Sequence, residues 1–240
     1  MNPADIYKNK TRAASYAQLE FPNTYYLAYR DLHDILNKHV RGNKALDFGC
    51  GSGRSTRFLQ NHGLDVMGVD NSAEMLEFAR SADPKCNYGL VKDGEYAHLG
   101  IDSYDLVQAI FTFDNIPGVE LRQLLLTKLK ELLKKDGIFI LLASTPEIYT
   151  NEWASFSTKN FPENRNARSG DPVRGIMMDV EDRRPVVDTI WFHEDYLSLF
   201  DHAKLNLIAT YRPLALGNEP FEWISETTIP PWVIYVLQNG

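Results

Sequence analysis

The sequence predicts a doubly wound α/β fold on three observations. A short apolar strand runs into a glycine-rich loop, the loop opens straight into a helix, and strand and helix patterns then alternate between residues 40 and 145. Ala45, Leu46 and Phe48 supply the strand, and residues 46–54 read Leu-Asp-Phe-Gly-Cys-Gly-Ser-Gly-Arg. Gly49, Gly51 and Gly53 remove side chains where backbone must approach a ligand, and they accept the positive φ that such turns need. A helix over Arg54 to Gln60 follows, with Asn61-His62-Gly63 as its stop. That order sets a ligand at a helix N-terminus, where a doubly wound sheet binds nucleotides.

The glycine spacing argues against a dinucleotide. The fingerprint G-x-G-x-x-G needs a glycine at 54 or 56, and the chain has Arg54 and Thr56. A carboxylate just before the loop, Asp47, repels a pyrophosphate and attracts a cationic group.

An acidic residue followed by G-x-G-x-G (Asp47, Gly49, Gly51, Gly53) resembles the first motif of the class I S-adenosylmethionine (SAM) dependent methyltransferases. Leu64 to Asp70 reads as a second strand ending in an acid, the place where this family binds the two ribose hydroxyls. An ionised carboxylate accepting from two adjacent hydroxyls suits Asp70, and Asn71 adjoins it. Ser72, with Glu74 in the first turn, opens a helix through Phe78. Asn87 to Lys92 is a short strand leading to Asp93-Gly94, similar to the family position at the adenine amine. The strand from Asp105 to Phe113, with Ala109 in it, resembles the one that passes the methionine portion. A helix over Leu121 to Leu133 then leads through Lys134-Lys-Asp-Gly137 into a strand over Ile138 to Leu142, with Asp136 where the family usually has proline. Leu205 to Tyr211 and Trp232 to Leu237 match the family's last two strands. The resemblance thus implies a mostly parallel seven-stranded sheet with an antiparallel last strand, helices on both faces, and SAM as cofactor with S-adenosylhomocysteine as product.

Composition bounds the rest. At 240 residues and 44% hydrophobic, the chain can bury the core of one domain. The net charge of −7 argues against nucleic acid or an anionic membrane as partner. Neither a membrane-span run nor a signal-peptide core is evident, and the two cysteines suggest no disulfide framework, so the expected home is the cytoplasm. No Cys/His cluster has metal-site spacing, and nothing in the chain separates a monomer from a homodimer.

Within one domain, residues 41–143 form the expected SAM-binding core and three segments lie outside it. Residues 1–40 carry Tyr7, Tyr16, Tyr25, Tyr26 and Tyr29 in a helical stretch to Val40, which in related enzymes is a lid; each tyrosine reads either as packing or, Tyr16 above all, as ligand-facing. Residues 144–192 are far longer than a connection requires and hold Trp153, Phe156 and Phe161, then a hairpin of 173–180 with 185–192. This segment is read as a substrate cap, its aromatics either packing or substrate-facing, and Arg165, Arg168 and Arg174 are candidate anchors for a carboxylate or phosphate. Residues 193–240 hold a helix from His193 and the last strand pair, with Phe221-Glu-Trp223 in a long link.

Methyl transfer chiefly requires alignment, and a base matters only for an acceptor that starts protonated. Asp114, His193 and Tyr16 are the candidates; His193 also reads as a helix cap. The chain lacks the D/N-P-P-Y signature of amino-methylating nucleic-acid enzymes, since Asp114-Asn-Ile-Pro117 has Asn and Ile where prolines are required. A small molecule with a flat or apolar part is the expected acceptor. The competing readings are a SAM-binding protein without transfer activity and an NAD(P)-dependent oxidoreductase. An aminopropyl transferase would need an acidic polyamine site, which the sequence does not mark.

Overall fold

The protein was analysed as a computed structural model that describes residues 14, 16, 17, 19–92 and 94–240. Seven strands form the central sheet: β1 (Lys44–Phe48), β2 (Asp65–Asp70), β3 (Asn87–Leu90), β4 (Tyr104–Ile110), β5 (Leu133–Ser144), β9 (Leu205–Tyr211) and β10 (Trp232–Asn239). Their spatial order is β3-β2-β1-β4-β5-β10-β9. β1 pairs in parallel with both β2 and β4, so the chain reverses its direction of winding there and leaves a crevice at the strand ends. Only β10 runs against its neighbours, pairing antiparallel with β5 and β9.

Period-two alternation splits the core into two layers. Ile138, Ile140 and Leu142 of β5, with Trp232, Ile234 and Val236 of β10, face one layer; Phe139, Leu141, Ala143, Val233, Tyr235 and Leu237 face the other. Both strands are therefore apolar without interruption over 138–143 and 232–237, as strands covered on both faces must be. The helices α1 (Thr24–Arg30) and α2 (Leu32–His39) cover the first layer. The second is covered by α5 (Val119–Lys130) and α6 (His193–Ala203). Helices α3 (Arg54–Asn61) and α4 (Ala73–Ala82) flank β2; Ser72 caps α4 by accepting from Met75 N at 3.2 Å.

Three expectations are adjusted. The stretch leading to Val40 is two helices that turn at Asp31, and the residues before 14 lie outside the described part. The helix expected to reach Leu133 stops at Lys130, because Leu133 already pairs with Tyr104 as the start of β5. Residues 134–137 then bulge out before Ile138 pairs with Leu106. Asp136 in that bulge has φ 62°, a conformation closed to proline, which explains the departure from the usual residue.

The segment between β5 and α6 carries its own three-stranded sheet of β6 (Phe156–Ser157), β7 (Pro172–Met177) and β8 (Val186–Thr189). The buried Glu226 ties it to both chain ends. One carboxylate oxygen accepts from Thr24 Oγ1 (2.6 Å) and Ala154 N (2.8 Å), the other from Ile224 N (2.8 Å) and Ser225 N (3.1 Å). Among the described residues no helix is long and apolar enough to cross a membrane.

Candidate functional site

A cavity of about 190 Å³ opens in the crevice between β1 and β4. The glycine loop forms one wall. Gly49 has φ 71°, and a Cβ there would stand 2.4 Å from the Thr112 side chain, so the turn admits no side chain. Thr112 Oγ1 donates to Phe48 O at 3.0 Å and so ties the ends of β1 and β4 together. Gly53 serves packing: a Cβ there would lie 2.4 Å from Tyr88 Oη.

Asp70 lines the cavity at the end of β2 and organises the loop from across it. Its Oδ2 accepts from Gly51 N and its Oδ1 from Ser72 N, both at 2.8 Å. Burial pushes this carboxyl up, and the backbone N–H groups of Ser72, Gly51 and Asn71 oppose that by favouring the anion. An ionised carboxylate has about four acceptor sites, so these backbone donors leave room for a ligand's hydroxyl.

Of the other residues read from the sequence, Gly49, Gly51, Asn71 and Tyr16 also line this cavity. Asp47 lines neither it nor the two smaller cavities beside it. Its buried Oδ2 accepts from Ser55 Oγ (2.7 Å) and Thr56 Oγ1 (2.6 Å), which makes Asp47 the anchor of the α3 N-terminus. Ala109 belongs to the core layer under α5, and its neighbours Ile110 and Phe111 line the cavity in its place. Gly94 lies outside all three cavities and Asp93 outside the described residues. His193 is remote as well, at the first position of α6, stacked on Tyr235 with Nδ1 2.9 Å from its hydroxyl. The cap there is Asp195, which accepts from Phe192 N at 2.8 Å.

Two cavities of about 40 Å³ adjoin the large one and share Tyr16 and Phe111 with it. Phe111 has φ 58°, an unfavourable conformation for a bulky residue, and Asn115 Nδ2 supports the turn by donating to its carbonyl at 3.1 Å. The first small cavity is lined by Gly49, Ser52 and Arg54. In the sequence Arg54 marks only a helix start; in the fold its guanidinium is buried, 4.7 Å from the Tyr25 ring and 5.5 Å from that of Tyr29, and donates to Glu20 O at 2.7 Å. The second lies beneath the insertion and is lined by Asp114, Asp188 and aromatic rings. Asp114 is buried, with Oδ2 accepting from Ser144 N (3.0 Å) and Oδ1 from Tyr196 Oη (3.4 Å); burial raises its pKa from 3.8 to about 6.

The aromatics of the insertion divide. Trp153 and Phe161 are buried in packing, while Phe156 faces the second small cavity. None of Arg165, Arg168 and Arg174 lines any of the three cavities. Arg174 pairs with Glu163 and covers the Phe161 ring, on an exposed surface.

A family model described as a methyltransferase domain matches residues 46–141. An uncharacterized methyltransferase of Anoxybacillus flavithermus is 30% identical over 117 residues, 45% of this chain and 53% of that protein. A trans-aconitate 2-methyltransferase from an Enterobacter species is 26% identical over 195 residues, 78% of this chain and 68% of its own length. The chain spans about half the length of the first curated relatives it matches. Among solved structures, an amino pentose methyltransferase from Micromonospora echinaspora with SAM bound superposes with a TM-score of 0.63 at 16% identity, over 97% of each chain. The glycine loop, the acid ending β2 and the strand order agree with these matches: residues 46–141 carry a methyltransferase domain, on a sheet with the fold of the SAM-dependent methyltransferases.

Proposed function

We propose that this protein transfers a methyl group from SAM to a small-molecule acceptor. The observation that carries the reading is the sharing of Tyr16 and Phe111 by all three cavities, which sets a larger space for the nucleoside beside a smaller one for the acceptor at the same strand ends. The residues fit SAM. Gly49 leaves a cradle that a Cβ would fill, Asp70 offers acceptors to ribose hydroxyls, and Asn71 stands beside it. Arg54 and Ser52 suit the carboxylate of the methionine end. Asp93 remains the proposed partner of the adenine amine. When bound, SAM supplies an electrophilic methyl group.

The chain itself aligns and desolvates the acceptor. Tyr16 borders all three cavities and so stands between donor and acceptor spaces. Asp114, raised to about 6 by burial, is ionised at neutral pH and takes the proton of an acceptor that begins protonated. Two free cysteines, one of them buried, and the acidic surface support a cytoplasmic protein that works on small molecules.

The test is calorimetric titration with S-adenosylhomocysteine, NAD and NADP, followed by mass spectrometry of SAM incubations with phenols, amines and carboxylic acids. Saturable binding of the homocysteine adduct alone, with a product about 14 Da (one CH2) heavier than one acceptor, is the expected result. Binding without any product across the panel favours a SAM-binding protein without transfer activity, and binding of NAD in its place overturns the reading.

A further inference from the structure

The cavity beneath the insertion has a chemistry that selects among acceptors. Four rings wall it. Tyr25 stacks on Trp232 with centroids 5.9 Å apart, Phe111 lies 4.6 Å and Phe156 5.7 Å from the same indole, and Phe156 lies 5.3 Å from Tyr25. Between them stand two carboxylates, Asp114 and Asp188, and among the described residues no Lys, Arg or His lines the cavity. Arg54 packs on Tyr25 but lines the neighbouring cavity.

Asn115 supplies an independent observation. It lines both this cavity and the large one, at their junction. Its Nδ2 donates to Phe111 O, which fixes the amide orientation, and its buried Oδ1 has no hydrogen-bond partner. The junction therefore holds a buried acceptor that lacks a donor.

We propose that this cavity binds the methyl acceptor as a small amine, its ammonium group held between the aromatic faces and the carboxylates of Asp114 and Asp188 with an N–H directed to Asn115 Oδ1. The inference rests on the methyltransferase reading and narrows its substrate class. An ammonium carries three donors and no acceptor, which suits a site offering acceptors, and aromatic faces attract the cation. A carboxylate or phosphate would meet two like charges with no cation lining the cavity among the described residues, and a neutral phenol would leave the Asp114 and Asp188 carboxylates facing a ring edge. Before the nitrogen can react it must shed one proton: the ammonium becomes a neutral amine with a free lone pair, and the Asp114 carboxylate becomes the carboxylic acid. The small volume admits the amine head and little beyond it.

The test titrates the protein, saturated with S-adenosylhomocysteine, with methylamine, cyclohexylamine and benzylamine, each against the alcohol of the same skeleton. Affinity is read by calorimetry and by ligand-observed NMR. At least one amine should bind about tenfold or more tightly than its alcohol. Asp188→Asn and Asp114→Asn should each erase most of that preference while leaving the affinity for S-adenosylhomocysteine unchanged, which shows that the variants are folded. Equal binding of amines and alcohols, or a preference that survives both substitutions, overturns the amine assignment and leaves the methyltransferase reading intact. Failure of the parent protein to bind S-adenosylhomocysteine removes that reading and, with it, the acceptor role of the cavity.

Discussion

The glycine loop between β1 and α3 and the cavity beneath the insertion adjoin, yet they are assembled from different material. In the loop, the recognition surface is backbone: Gly49 and Gly51 at positive φ, with the Gly51 and Ser72 amides collected by one carboxylate, Asp70. Its residues fall within a short stretch plus the end of the next strand. The second cavity is made of side chains from Tyr25, Phe111, Asp114, Phe156, Asp188 and Trp232, spread over most of the chain. Backbone sites need particular residue types at particular spacings, so they leave a trace in sequence. A side-chain site needs only that distant residues converge, and the fold supplies that.

Substitutions can pull the two regions apart. The largest effect is expected from Glu226→Ala, which strips the buried carboxylate from Thr24, Ala154, Ile224 and Ser225. Orphaning these donors should cost about 4 kcal/mol in denaturant unfolding and loosen the insertion, with the loop's affinity for S-adenosylhomocysteine retained under native conditions. Loss of both properties together would mean that the regions fold as one unit.

Asp70→Ala acts on the opposite side. Removing the acceptor for two backbone amides and for the ligand should weaken S-adenosylhomocysteine about 100-fold in calorimetry, with amine binding by the second cavity little changed.

Asp114→Asn belongs to the second region, and its signature is pH-dependent. Burial raises the Asp114 pKa from 3.8 to about 6, so the folded state holds the proton more tightly than the unfolded chain. That contribution is complete below pH 3.8 and is lost as pH rises through about 6. The Asn variant should therefore be more stable than the parent at pH 8, by up to about 3 kcal/mol, with the gap closing toward pH 4 in thermal melts. Its turnover should fall about 100-fold, and the parent's rate should climb through pH 6 as the carboxylate ionises.

Gly49→Ala should cost about 2 kcal/mol, because the new methyl meets Thr112 and the positive φ disfavours it. Pairing it with Thr112→Ala should recover the steric part of the loss, leaving the conformational part. The smallest effect is expected for His193→Ala: loss of the Tyr235 contact should cost about 1 kcal/mol or less and leave turnover near the parent value. A large drop in turnover would return His193 to the reaction.

Read along the chain alone, the loop was legible, but the roles within it were not equally so. Asp47 and Asp70 are both acids at strand ends, and nothing in their spacing shows that one turns down to Ser55 and Thr56 while the other faces the crevice. Ala109 and Phe111 sit two apart in one strand pattern, and the change of side at Phe111 comes from a positive φ that no propensity for phenylalanine announces. Arg54 was visible, but its aromatic surround of Tyr25 and Tyr29 required α1 to pack beside α3.

The sequence by itself determined the doubly wound sheet, the glycine turn and the acid at the end of β2. These depend on local patterns: alternation, glycine spacing and apolar runs that match strands covered on both faces. Only the tertiary structure decided that an acidic, aromatic-walled cavity exists, that Asp114 and Asp188 share it, and that the arginines of the insertion do not. Such a site depends on which side chains meet across long sequence separations, and no local pattern encodes a meeting.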